Sequence, residues 1–140
     1  MEDQLISYET GIVAKEKKFT QNPYLINNSY APTYTDGSEI RLINSLYNPS
    51  SNLCTAPSQS IIQKWLRDEH NIHIHISRVY EWHTGTPIFE GYCLYIDFLF
   101  SEGYNEEKVY EINHKYLLNL FPNFEEALEK GLFEALTYLK

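Results

Sequence analysis

Between residues 59 and 76 the spacing of apolar side chains changes from a helical to an alternating period, and few folds accommodate that change. The stretch reads Ala56-Pro-Ser-Gln-Ser-Ile-Ile-Gln-Lys-Trp-Leu-Arg-Asp-Glu-His-Asn-Ile-His-Ile-His-Ile76. Ile62, Trp65 and Leu66 recur at i, i+3 and i+4, and Ile61 widens the stripe, as in an amphipathic helix. Thr55 or Ser58 suits the N-cap, and Pro57 suits the first turn, where a missing N–H costs nothing. Ile72, Ile74 and Ile76 then alternate with His73, His75 and Ser77, the pattern of a half-buried strand. Asn71 marks the reversal, because Asn tolerates the left-handed conformation that ends helices. A helix passing directly into a strand with one apolar face predicts a helix layer on a sheet.

The flanking segments extend this layer. Ser7 is a candidate N-cap for a short helix carrying Tyr8 and Ile12, with Lys15, Lys17 and Lys18 favouring its end. Residues 20–55 are rich in Tyr, Asn and Pro and contain four turn signals, Asn22-Pro23, Ala31-Pro32, Asp36-Gly37 and Asn48-Pro49. Asp36-Gly37 is expected to close a small hairpin whose second arm is Glu39–Leu46. Tyr24, Tyr30, Tyr34 and Tyr47 are expected to pin this segment by their rings. The pattern predicts strands over about 72–82 and 88–100 joined by a five-residue turn at 83–87. On the second strand Ile88, Tyr92, Leu94, Ile96, Phe98 and Phe100 share a face. A third strand region is expected at 107–121. Asn123 caps a last helix whose stripe is Leu128, Leu132, Ala135, Leu136 and Leu139. The fold class that results is α+β: one domain over 1–140, an antiparallel sheet of three to five strands, and helices packed on one face.

Composition bounds the function. The chain has 140 residues, of which 43% are hydrophobic, enough for one core and too many for a disordered chain. No apolar run is long enough to span a bilayer, and Met1-Glu2-Asp3-Gln4 lacks the basic start of a signal peptide, so a cytoplasmic protein is expected. Cys54 and Cys93 form no Cys-x-x-Cys pattern and read as free thiols, although a single bridge between them fits the count. The net charge of −8 is unevenly spread: residues 1–67 carry six acids and six bases, residues 68–140 thirteen acids and five bases. That acidic half argues against direct nucleic-acid binding through phosphate contacts. It admits two readings, a solvated face tolerant of charge reversal at Glu125 and Glu129, or an acidic decoy that occupies a nucleic-acid-binding protein.

Three constellations bear on chemistry. His73 and His75 project from one side of a strand; the expected turn sets His73 opposite Asp97 and His75 opposite Tyr95, and a two-residue slip would set His75 opposite Asp97 instead. His-x-His with a carboxylate is a donor set that zinc or iron accepts. Cys93 falls on the same face, near Ser77; as a nucleophile it would need a base within hydrogen-bond reach and an oxyanion hole, and strand cysteines are usually inert and buried. Gln59, Gln63, Lys64 and Arg67 give the central helix a mildly basic face suited to an acidic protein partner. No P-loop, Rossmann, Gly-x-Ser-x-Gly or His-Glu-x-x-His motif is present, and no cofactor is implied.

Three segments also carry a resemblance: Leu5-Ile-Ser-Tyr-Glu-Thr10 with Ala14-Lys-Glu-Lys-Lys-Phe19, Ala56-Pro-Ser-Gln-Ser-Ile-Ile-Gln-Lys-Trp-Leu-Arg67, and Phe124-Glu-Glu-Ala-Leu-Glu-Lys-Gly-Leu-Phe-Glu-Ala-Leu136. In this order they resemble a family of small uncharacterised proteins encoded by phages and mobile elements of gut bacteria. The chain departs from that pattern at Lys18 and in its long 101–121 region. The resemblance implies a phage or mobile-element accessory protein and transfers no catalytic residue. With the residue patterns it makes a non-catalytic protein-binding module the leading expectation, and a metal-binding domain or metal-dependent enzyme using His73, His75 and Asp97 the alternative.

The helix stripe makes Trp65 a core residue. Trp65→Ala is expected to cost about 3–5 kcal/mol, as large aromatic truncations in cores do; urea melts measure it, and a loss below about 1 kcal/mol means the helix face is misassigned.

Overall fold

The computed structural model describes residues 4–17, 19, 30–36, 39–44 and 54–139. Its elements in order are α1 (Tyr8–Glu16), β1 (Tyr30–Asp36), β2 (Glu39–Asn44), β3 (Cys54–Thr55), α2 (Gln59–His70), β4 (His73–His83), β5 (Thr86–Asp97), α3 (Glu106–Tyr116) and α4 (Phe124–Tyr138). The α+β class holds. The single sheet does not: the strands form two antiparallel sheets, a hairpin of β4 and β5 and a smaller sheet in the order β2-β1-β3.

The switch at Asn71 is built as its sequence suggests. Asn71 takes φ 56°, ψ 38°, and the Ile72 N–H bonds back to the Leu66 carbonyl at 3.1 Å, which turns the chain out of α2 and into β4. Ser58 is the N-cap by backbone geometry but makes no capping bond through its side chain. One face of the hairpin, with Ile72, Ile74, Leu94, Ile96 and Phe98 just beyond it, packs on Ile62, Trp65 and Leu66 of α2 and Leu128, Leu132 and Leu136 of α4. Trp65 is 8% exposed and meets the rings of Phe19 and His70 edge-on. Gly131 lets α4 come this close: a Cβ there would lie 2.8 Å from Leu94 Cδ1 and 2.9 Å from Ile74 Cγ2.

The small sheet clasps the other side of α1. β1 and β2 pair from Tyr30↔Asn44 to Asp36↔Glu39, the hairpin expected around Asp36-Gly37. Tyr34 is buried, stacks edge-on against Tyr8, and donates from its hydroxyl to the Ile6 carbonyl at 2.6 Å. Tyr24 and Tyr47 lie outside the described residues, as does the side chain of Tyr30.

Residues 107–121 overturn an expectation. Most of the region is helix α3, not strand. The Asn105 side chain accepts from the Lys108 N–H at 3.1 Å as N-cap, and Val109, Ile112 and Tyr116 make a helical stripe. Only Phe121 pairs with the sheet, exchanging bonds of 2.9 and 2.8 Å with Tyr92. Helix α3 instead finishes the β5 edge through one side chain: Asn113 accepts the Ile96 N–H and donates to the Ile96 carbonyl, both at 2.9 Å. Its amide does the work of a neighbouring strand. Tyr116 ties α3 to α4 by donating to Glu134 Oε1 at 2.7 Å, and burial first, then that carboxylate, raises its pKa above the usual phenol value.

The hairpin register came out as expected by a different route. His73 faces Asp97 and His75 faces Tyr95, but the turn has two residues, Thr84 and Gly85, both at positive φ. A β-bulge between the pairs Val79↔Gly91 and Tyr80↔Phe89 supplies the missing offset. Gly91, at φ 148°, sits under Leu120 and Phe121, where a Cβ would lie 3.0 Å from both Leu120 Cβ and the Phe121 carbonyl oxygen. The bulge moves Ile88 off the helix-side face and puts Phe89 there; Phe100, past the end of β5, is exposed.

Asn113→Ala leaves the Ile96 peptide groups without their partner and is expected to destabilise the fold by about 1–3 kcal/mol. Replacing the neighbouring exposed His114 by Ala is expected to change stability by less than about 0.5 kcal/mol. Equal losses in paired denaturant melts would show that the amide does not hold the edge.

Candidate functional site

The helices are shorter than the hairpin they cover. From Glu81 to Glu90 every residue is exposed, so the end of the hairpin stands out from the body as a two-stranded arm. Its helix-side face continues the core face beyond the last helix. Phe124, Tyr92, Phe89 and Tyr80 form a ladder of edge-on rings with centroid spacings of 6.2, 5.2 and 5.9 Å. The Arg78 guanidinium lies 5.5 Å from the centres of both the Tyr80 and Phe89 rings, a cation–π arrangement. Trp82, 70% exposed, ends the row, and Phe89 is 42% exposed. Contiguous aromatic surface of this kind is uncommon on a monomer and marks contact sites.

The opposite face of the hairpin carries the histidines. His73 and Asp97 are cross-strand partners, but their polar atoms are engaged elsewhere: Asp97 Oδ1 accepts the Leu99 N–H at 2.9 Å, and His73 Nε2 lies 3.3 Å from Asn71 Oδ1. His75 packs its ring beside Tyr95. Among the described residues the one group of His, Cys, Asp and Glu with all ligand atoms within 4.8 Å of one another is Glu81, His83 and Glu90, on the arm. His83 Nε2 is 3.4 Å from Glu81 Oε2, and the bulge brings Glu90 to them. Sequence reasoning missed this group because its spacing depends on the bulge. Cys93 is a free, half-buried thiol opposite Ser77.

The basic helix face is narrower than its sequence suggests. Gln59 is 1% exposed and donates to the Glu125 carbonyl at 3.0 Å and to Glu129 Oε2 at 3.3 Å, so it is built into the α2–α4 contact and cannot meet a partner. Gln63 donates to the Ile74 carbonyl at 3.3 Å. Lys64 and Arg67 are exposed and both pair with Asp68, at 3.2 and 3.6 Å.

The acidic half is likewise partly internal. Glu129 also accepts the Ser7 N–H at the start of α1, so it joins three helices and is no solvated charge that tolerates reversal. Glu134 is held by Tyr116 and Lys115.

Two open clefts flank the body. One, of about 320 Å³, lies between α1 and α4 and includes Ser7, Glu126, Glu129 and Lys130; Ser7 Oγ there caps α1 by accepting the Thr10 N–H at 3.2 Å. The other, of about 310 Å³, is bordered by His70, Glu102, Lys108 and Tyr138. Burial lowers the His70 pKa, opposed in part by Glu69 and Glu102, and the Tyr138 hydroxyl is fixed between the Asn105 N–H and the Gly103 carbonyl. Among the described residues no helix is long and apolar enough to cross a membrane.

No family model, curated protein or solved structure matches this chain. The class that its fold defines is a small α+β protein with a β-hairpin arm that no helix covers among the described residues.

If a divalent cation binds the hairpin, convergence of donors favours the arm. Zinc titrated into untagged protein is expected to shift the His83 ring signals before those of His73 and His75 in NMR spectra. Shifts at His73 and His75 first, lost in Asp97→Asn, would instead favour the set read from the strand alternation.

Proposed function

We propose that this chain is a non-catalytic protein-binding module, an accessory protein of a phage or mobile element acting inside the cell, and that it docks its partner on the aromatic face of the β4–β5 arm. The observation that carries this reading is the ring ladder running from the core onto a hairpin end that no described helix covers. Rigid aromatic surface with an Arg is the composition of interface hot spots, because such side chains bury much area for few rotatable bonds. Arg78 at the centre of the row suits a partner segment that is apolar and carries a carboxylate. The excess of acids elsewhere on the chain disfavours nucleic acid as the ligand.

The partner is to be captured with the full chain from host cells, identified by mass spectrometry, and its affinity measured with purified components. The double variant Trp82→Ala/Phe89→Ala is expected to raise Kd at least tenfold, about 1.4 kcal/mol or more, while far-UV circular dichroism stays unchanged. An unaltered Kd removes the arm as the docking face. A metal-dependent activity lost on His73→Ala or His75→Ala would replace the binding reading with the metal alternative.

A further inference from the structure

The two edges of the β4–β5 hairpin are finished differently. In an antiparallel ladder, alternate residues of each strand turn their N–H and C=O groups away from the partner strand. On β5 these outward residues include Tyr92 and Ile96, and both are occupied, Tyr92 by Phe121 and Ile96 by Asn113. Nearer the arm tip the outward residues are Pro87 and Phe89, since His83↔Thr86 is the inward pair that closes the turn. Pro87 has no N–H to offer a further strand. The β5 edge is thus occupied at Tyr92 and Ile96 and interrupted at Pro87, which leaves only the separated outward groups of Phe89 and Leu94.

The β4 edge is more open. Arg78 pairs with Tyr92 and Ile74 with Ile96, so the outward residues of β4 are Ile74, Ile76, Arg78, Tyr80 and Trp82. Gln63 takes the Ile74 carbonyl. Among the described residues nothing reaches the outward groups of the other four. The strand has eleven residues and contains no Lys or Pro, and besides its histidines Arg78 and Glu81 are its only base and acid. A two-stranded ribbon is also marginal alone, and the arm lacks the helix support that the rest of the hairpin has.

We propose that this edge joins two copies of the chain, β4 pairing antiparallel with β4 of the second copy about a two-fold axis at Tyr80. The two hairpins become one four-stranded sheet. The occupant follows from self-complementarity. With the axis at Tyr80, Arg78 faces Trp82 of the second copy, Val79 faces its Glu81, and Ser77 faces its His83. No like charges meet, and each guanidinium, already beside Tyr80 and Phe89 of its own chain, gains a third aromatic partner. An axis at Arg78 would oppose two guanidinium groups. Pairing also places the Tyr80, Trp82 and Phe89 rings of both copies on one side of the joined sheet. The pairing uses backbone groups at the edge, whereas the partner docking proposed above uses ring faces, so either can fail alone.

The test is the oligomeric state of the full chain by sedimentation equilibrium from about 1 to 200 μM. A mass approaching twice 16.5 kDa is expected. Tyr80→Pro removes an outward N–H and no bond of the chain's own ladder, and is expected to weaken association at least tenfold; Tyr80→Ala, which keeps the N–H, weakens it less. Phe89→Ala is expected to spare the dimer while weakening partner capture. Amide exchange of the unmodified protein gives a readout independent of variants. Protection of Ile76, Arg78, Tyr80 and Trp82 should rise with concentration, while Ser77, Val79 and Glu81 stay protected throughout. A monomer at every concentration, a dimer in which those four amides gain no protection, an undiminished dimer of folded Tyr80→Pro, or pairing only with a strand of another protein would each overturn the proposal.

Discussion

The structure depends on burial of one face of a two-stranded hairpin. A ribbon of two strands has too little contact of its own to persist in water. Here Ile74, Leu94 and Ile96 lie against α2 and α4, and the absence of a Cβ at Gly131 brings α4 close enough to touch both strands. Each fully buried aliphatic side chain contributes roughly 1.5–3 kcal/mol of transfer free energy. Glu129 then locks the assembly from the polar side, since it accepts from both Ser7 and Gln59 and so couples α1 and α2 to α4. The helices end before the hairpin does, and the arm is the part of the sheet left without this support.

The bulge decides what the arm displays. An extra residue at the Glu90–Gly91 step exchanges the faces of everything beyond it. Without it Ile88 and Glu90 would stand on the helix side and Phe89 on the opposite face. With it Phe89 joins the ring ladder, and Glu90 joins Glu81 and His83. Gly91 is held there by a neighbour distant in sequence, since the Leu120–Phe121 segment packs against its Cα and pairs with Tyr92. A single backbone irregularity therefore sets both the aromatic face and the cluster of ligating groups opposite.

Polar groups finish what apolar packing leaves open. Asn113 substitutes for a strand at Ile96, and Phe121 does so at Tyr92, so α3 and the segment after it act together as an edge cover. Residues 107–121 thus stand beside β5 without forming a strand. They occupy the place of a third strand beside β5, but satisfy its peptide groups with one bridge and one side-chain amide. The contrast with the β4 edge, which among the described residues is met only by Gln63 at Ile74, is a difference in backbone hydrogen bonding, not in hydrophobicity.

Much was legible in the residue pattern alone. The helical stripe of Ile62, Trp65 and Leu66, the alternation of Ile72, Ile74 and Ile76, the reversal at Asn71 and the cap at Asn123 are local facts, and periodicity reports them because each depends on neighbours within one element. The core register was legible too, although a shorter turn and a bulge together produced the offset attributed to a longer turn. For residues 109–116 the pattern was ambiguous, because Val109, Ile112 and Tyr116 fit a helix while Tyr110 and Ile112 fit an alternating strand; the Asn105 cap and the packing against β5 decided it. Gln59 looked like an exposed polar residue because its partners, Glu125 and Glu129, lie on another helix far along the chain. The sequence by itself determined which faces are apolar and where the chain turns. Only the tertiary structure decided which of those faces are covered, which edge is closed, and which carboxylates are internal, because each of these depends on atoms that the chain brings together from a distance.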